Sequence, residues 1–162
     1  LRVARAMCAA TGDLEMARRL GDELDGVQSA ERPVPEDRRV LGFASPFRVR
    51  ALDAGFMDPE EIFLANREKF SQVPLTIGQP IEELSTALSQ IRQGGVLALT
   101  VPASEVTGAS AATDDDTQVF IYILPREIQR IVERTRAMAL SALVGRLVEA
   151  AAAPSEDEAA EE

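Results

Sequence analysis

The sequence predicts an α+β fold: a helix-rich single domain with a small sheet, closed by a long C-terminal helix. Three observations carry this. Two apolar runs, VLALTV (96–101) and TQVFIYIL (117–124), have strand length and lie either side of a loop, so they are expected to pair antiparallel. Both are apolar at odd and even positions alike, which predicts a sheet covered by helices on both faces. Helical spacing then runs from Pro125 towards the end of the chain.

The remaining elements follow in chain order. Residues 1–26 read as a helix pair broken near Thr11-Gly12, the second helix capped by Asp13 and carrying Leu14, Ala17, Leu20 and Leu24 at helical spacing. Within it, ATGDLEMARRLGDEL resembles one helix pair of an ankyrin or tetratricopeptide repeat. The resemblance covers fifteen residues in a single copy. A solenoid needs about three repeats to bury a core, so it implies nothing about function. Residues 27–38, polar and with two prolines, read as a linker ahead of a core spanning 39–153. RVLGFASPFRVRAL holds two short β-like stretches around Ser45-Pro46, with Arg48-Val49-Arg50 alternating as a half-exposed strand would and Gly55 ending the element. A helix should start at Asp58-Pro59, favoured by Glu60 and Glu61 at its positive end, with Ile62, Phe63 and Phe70 as core contacts. Pro80 opens another, whose apolar face is Ile81, Leu84, Leu88 and Ile91 and which Gly94-Gly95 should end.

Composition narrows the chemistry. A chain of 162 residues fits one domain able to bury roughly two-thirds of its unfolded surface. It opens on Leu1 rather than methionine, so it is expected to be a segment of a longer or processed chain. The first residues are too often charged for a secretory signal, and no apolar run approaches the roughly 18 residues of a membrane span. The single cysteine, Cys8, forbids an internal disulfide and points to a cytoplasmic location or the interior of a particle. Of 17 basic residues only Lys69 is lysine, which reads as GC-rich coding bias, with adaptation to high salt as the alternative. The net charge of −10 disfavours general nucleic-acid binding. It is unevenly placed. The tail APSEDEAAEE holds five acids and no base, so the rest of the chain has 22 acidic against 17 basic residues, or −5. Residues 154–162 are expected to lack fixed structure.

There is no histidine, which removes histidine-based acid–base and triad chemistry and the usual zinc sites. Cys8, between Met7 and Ala9, reads as a small core residue, and no phosphate-cradling glycine pattern occurs. The surviving metal candidates are Asp114, Asp115 and Asp116, since magnesium prefers oxygen ligands. Adjacent residues of an extended segment point apart, however, and the preceding residues are small and polar, so these aspartates read as the wet end of a loop. No cofactor is expected.

Two patterns on the last helix could bind a partner. Arg126, Arg130 and Arg134 stand four apart and span about 80° of its circumference, a candidate anion site that reads more simply as a solvated face eased by Glu127 and Glu133. The apolar face of residues 126–139 is Ile128, Ile131, Val132, Met138 and Ala139. From residue 140 it gives way to a seam of Leu140, Leu143, Val144 and Leu147, rotated by roughly 120–160°. One straight helix cannot bury both faces in the same body. Either it breaks near 139–141, or its second half docks on the N-terminal helices or on another subunit.

The expectation is therefore a non-catalytic interaction or assembly subunit, docking a protein partner or a second copy through its C-terminal helix. A virion, a secretion apparatus or another multisubunit complex would suit it. One alternative is a regulatory domain binding a small ligand or nucleic acid through loop 102–116 or the Arg126/Arg130/Arg134 stripe. Another is a carboxylate–magnesium enzyme acting on phosphate-containing substrates.

Overall fold

The computed structural model describes residues 1–27, 34–46, 48, 59–91, 95–102 and 118–152. Its helices are α1 (Arg2–Ala10), α2 (Leu14–Asp25), α3 (Pro59–Ala65), α4 (Ile81–Gln90) and α5 (Pro125–Ala152), with a 3-10 turn at Glu36–Arg38. Its strands are β1 (Arg39–Ser45), β2 (Ser71–Thr76), β3 (Leu97–Pro102) and β4 (Gln118–Ile123), forming one antiparallel sheet in the order β2-β1-β4-β3. The fold is α+β, and the two apolar runs pair with each other, Leu99 opposite Ile121.

Local chemistry explains the helix ends. Asp13 caps α2 by accepting a hydrogen bond from the Met16 N–H at 3.2 Å. Gly26 ends α2 at φ +79°, where a side chain is strained. Its backbone also packs on the turn before α4: a Cβ there would sit 2.8 Å from the Gly78 carbonyl oxygen, to which the Val27 N–H donates at 2.8 Å. Pro80 precedes α4 with Glu82 and Glu83 in its first turn, and Ile91 turns extended to end it. The α3 cap expected at Asp58, the second β-like stretch after Ser45-Pro46 apart from Arg48, most of loop 102–116 and residues 153–162 lie outside the described residues.

The alternation of the sheet separates two packing faces. One presents Val40, Gly42, Leu75, Ile123 and Leu97, and α4 and α5 cover it with Ile81, Leu84, Ile128, Ile131 and Val132. On the other, Tyr122 and Phe43 meet α3 and the residues after it: Phe63 stacks on Phe43 at 4.1 Å between ring centroids, and Phe70 stands edge-on to Phe63 at 4.8 Å. Ile62, Phe63 and Phe70 are buried, as their spacing predicts.

The structure corrects two expectations and decides between two alternatives. Strand β2, SQVPLT, has no counterpart in the sequence reading, and it contains Pro74, a residue that a central strand does not admit. At an edge of the sheet, where β2 lies, proline is tolerated. Among the described residues β3 is the other edge, and its burial alternates, with Ala98, Thr100 and Pro102 exposed, so cover on both faces holds for β4 and not for β3. Of the two alternatives for the last helix, a break near 139–141 is not what occurs: α5 runs unbroken for 28 residues and its second half packs on the N-terminal helices.

Candidate functional site

The second half of α5 presents two different surfaces. Its inner face carries Ala139, Ala142 and, at one margin, Leu143, which pack with Met138 against Ala4, Cys8, Ala17 and Leu20 of the N-terminal helix pair. Small side chains at Ala4, Cys8, Ala17 and Ala139 let three helices share one tight core, and this is where the lone cysteine is buried. One turn on, the Arg146 guanidinium donates to the Asp13 carboxylate and, at 2.6 Å, to Glu149. The Met16 N–H, and then Arg146, hold the Asp13 carboxyl below the usual aspartate range. Glu149 first and Asp13 second raise the pKa of Arg146. The capping residue of α2 is thus also the anchor of α5.

The outer face is open. Leu140, Val144, Leu147 and Val148 are 61%, 58%, 59% and 62% exposed. At 3.6 residues per turn they occupy an arc of about 100°, centred about 150° round the helix from the face packed on α1 and α2. Of the four seam residues expected from sequence, Leu140, Val144 and Leu147 stay open, while Leu143 is half-buried against the helix pair. Val148, eight positions beyond Leu140, belongs to the open stripe and was missed; continuing the helical wheel one more turn finds it.

The arginine stripe lies on the first half of the same helix, and each guanidinium has an acidic neighbour. Arg126 pairs with Glu60 of α3. Arg130 pairs with Glu127 at 3.1 Å and donates to the Arg39 carbonyl at 2.8 Å, while Arg134 lies 3.4 Å from Asp37. About half or more of each arginine side chain is exposed, so all three remain open to a further anion.

A polar junction lies between α2, the 3-10 turn and α5. Arg38 and Glu23 are 1% and 3% exposed and form a two-point ion pair. The Thr135 hydroxyl donates to the Glu23 carboxylate at 2.9 Å, and Arg38 also donates to the Gln79 carbonyl at 3.0 Å. Beside them Asp37 receives Arg19 at 2.8 Å, and its Oδ1 is buried without a hydrogen-bond partner among the described residues. The cleft here has a volume of about 80 Å³, room for a few waters. Sequence reading missed the junction, because Glu23 and Arg38 are 15 positions apart, Thr135 is 112 from Glu23, and no local pattern links them. Its chemistry is that of a lock: three segments meet on one buried carboxylate.

Asp114, Asp115 and Asp116 lie outside the described residues. Among the described residues no three His, Cys, Asp or Glu side chains are grouped to hold a metal ion. Nor is any described helix long and apolar enough to cross a membrane. No protein-family model, curated protein or solved structure matches this chain.

Proposed function

We propose that this chain is a non-catalytic interaction or assembly subunit, which docks on its partner through the outer face of α5. The observation that carries the reading is the contiguous stripe of Leu140, Val144, Leu147 and Val148, more than half exposed on a helix whose opposite face is already satisfied. Scattered apolar side chains are normal on a surface, whereas four in one arc mark an interaction site. Burying such a side chain is worth roughly 1.5–3 kcal/mol, so a partner covering the stripe gains substantially. Arg146 with Asp13, and Leu143 with the helix pair, hold α5 in place so that the stripe is presented on a rigid element.

The test is a paired substitution, Leu140→Glu with Val144→Glu, in the full chain expressed in its native cells. The wild type should elute from a gently prepared extract in a complex larger than its own 17.5 kDa, and the variant as free chain with unchanged thermal stability. A wild type that elutes free, or a variant that unfolds, defeats the docking reading.

A further inference from the structure

We propose that the cleft beside Asp37 binds hydrogen phosphate, a small oxyanion that carries its own O–H donor. This goes beyond the docking reading and uses none of the stripe residues, so either can fail alone.

The cleft lies where α2, the 3-10 turn and α5 meet, and encloses about 80 Å³. Its charged walls are Arg19, Arg38 and Arg134 against Glu23 and Asp37, three cations to two carboxylates, or +1. That is a local excess of base in a chain of net charge −10. Arg38 and Glu23, both almost fully buried, satisfy one another. The excess therefore sits at Asp37, where Arg19 at 2.8 Å and Arg134 at 3.4 Å share a single carboxylate oxygen, Oδ2. Ile131 and Met138 also line the cleft, and apolar walls strengthen the charge interactions formed between them.

The second oxygen sets the selectivity. Asp37 Oδ1 is buried and has no hydrogen-bond partner among the described residues. Such an unmet acceptor is costly, so a ligand that brings a donor to it gains affinity. Sulfate offers only lone pairs, which the Asp37 carboxylate repels. An oxyanion with an O–H answers both groups: its bare oxygens accept from Arg19 and Arg134, and its hydroxyl donates to Asp37. Arg19 comes from α2 and Arg134 from α5, so a tetrahedral ion, with oxygens in several directions, suits them better than a planar carboxylate. Oδ1 is sealed from water as the side chains stand. The terminal torsion of an aspartate is soft, however, and Arg134 is 61% exposed, so a turn of the carboxylate presents Oδ1 to the cleft.

The surroundings favour a small free ion. A wider bowl of about 490 Å³ lies outside and shares the Arg19, Asp37 and Arg134 wall. It adds Glu15, Asp22 and Glu36 against Arg18, an acidic rim that turns away polyanions such as nucleic acid. Esters of phosphate are also disfavoured. Their second pKa is about 6, so at about pH 8 they carry no proton, whereas free hydrogen phosphate keeps one.

Three ions of equal charge therefore separate the readings at about pH 8: inorganic phosphate, sulfate and methyl phosphate. Calorimetric titration of the purified full chain at constant ionic strength measures each. Phosphate should bind with a dissociation constant of about 1 mM or tighter, and the other two at least about tenfold more weakly. Arg134→Gln should weaken phosphate about tenfold or more with the melting temperature nearly unchanged, because its exposed ion pair contributes little stability. Asp37→Asn places an amide that can donate where the carboxylate accepts, so sulfate should gain and the preference should vanish.

No phosphate binding below about 10 mM, or sulfate as tight as phosphate on the wild type, overturns the proposal. So does an Arg134→Gln chain that binds phosphate as the wild type does, since the ion is then held elsewhere. An Asp37→Asn chain that folds and still prefers phosphate overturns the role of Oδ1. Should that variant fail to fold, the wild-type ranking of the three ions decides.

Discussion

Replacing Arg38 by methionine removes the guanidinium that, among the described residues, pairs with the buried Glu23 carboxylate, and the cost can be worked from the contacts. Among the described residues Glu23 would keep a single hydrogen bond, from the Thr135 hydroxyl, in a site only 3% exposed, and the Gln79 carbonyl would lose a donor. Stranding one member of a buried ion pair costs about 3–5 kcal/mol. At ~2–4 °C per kcal/mol for a domain of this size, the melting temperature should fall by ~6–20 °C. Thr135→Val alone removes one hydrogen bond to a charged group, about 1.5–3 kcal/mol. The triple variant Glu23→Leu/Arg38→Met/Thr135→Val removes both charges and the hydroxyl together. It should recover most of the loss, because an apolar replacement of a buried pair is often neutral. Urea unfolding followed by circular dichroism measures all three. A loss below about 1 kcal/mol for Arg38→Met would show that water reaches the pair. A triple variant as unstable as the single would show that the junction is held by packing and not by charge.

Two further expectations concern the sheet and the α2–α5 tie. In Gly42→Ala the new Cβ would meet Ile121 Cγ2 at 2.7 Å and Leu75 Cδ1 at 2.8 Å, so overpacking should cost about 1–3 kcal/mol in urea melts, and an unchanged midpoint would show a looser sheet centre. Asp13 is depressed by the Met16 N–H and then by Arg146. A carboxyl lowered on folding contributes stability that is fully present above its unfolded pKa of ~3.9 and is lost as pH falls through the folded value. Wild type should therefore exceed Asp13→Asn, which still caps but cannot ionise, at neutral pH, and the gap should close on acidification. A gap independent of pH would mean that the carboxylate charge is not what ties α5 to α2.

Much of this fold is legible in sequence because its signals are local. Asp13 before α2, Pro59 with Glu60 and Glu61, and Pro80 with Glu82 and Glu83 act on backbone groups within a turn of themselves, and each marks a real helix start. The change of apolar face at residue 140 is equally local, being a matter of angles on one helix. It establishes from sequence alone that α5 has two surfaces to account for. What tertiary structure decides is which surface is satisfied. The N-terminal pair, more than a hundred residues earlier in the chain, covers Ala139, Ala142 and Leu143 and leaves Leu140, Val144, Leu147 and Val148 open. Strand β2 becomes a strand only by pairing with β1, which overrides the weak propensity of SQVPLT. The Glu23–Arg38–Thr135 lock likewise exists only where three distant segments meet. Periodicity and capping are written into neighbouring residues, but a buried charge finds its partner through the path of the whole chain.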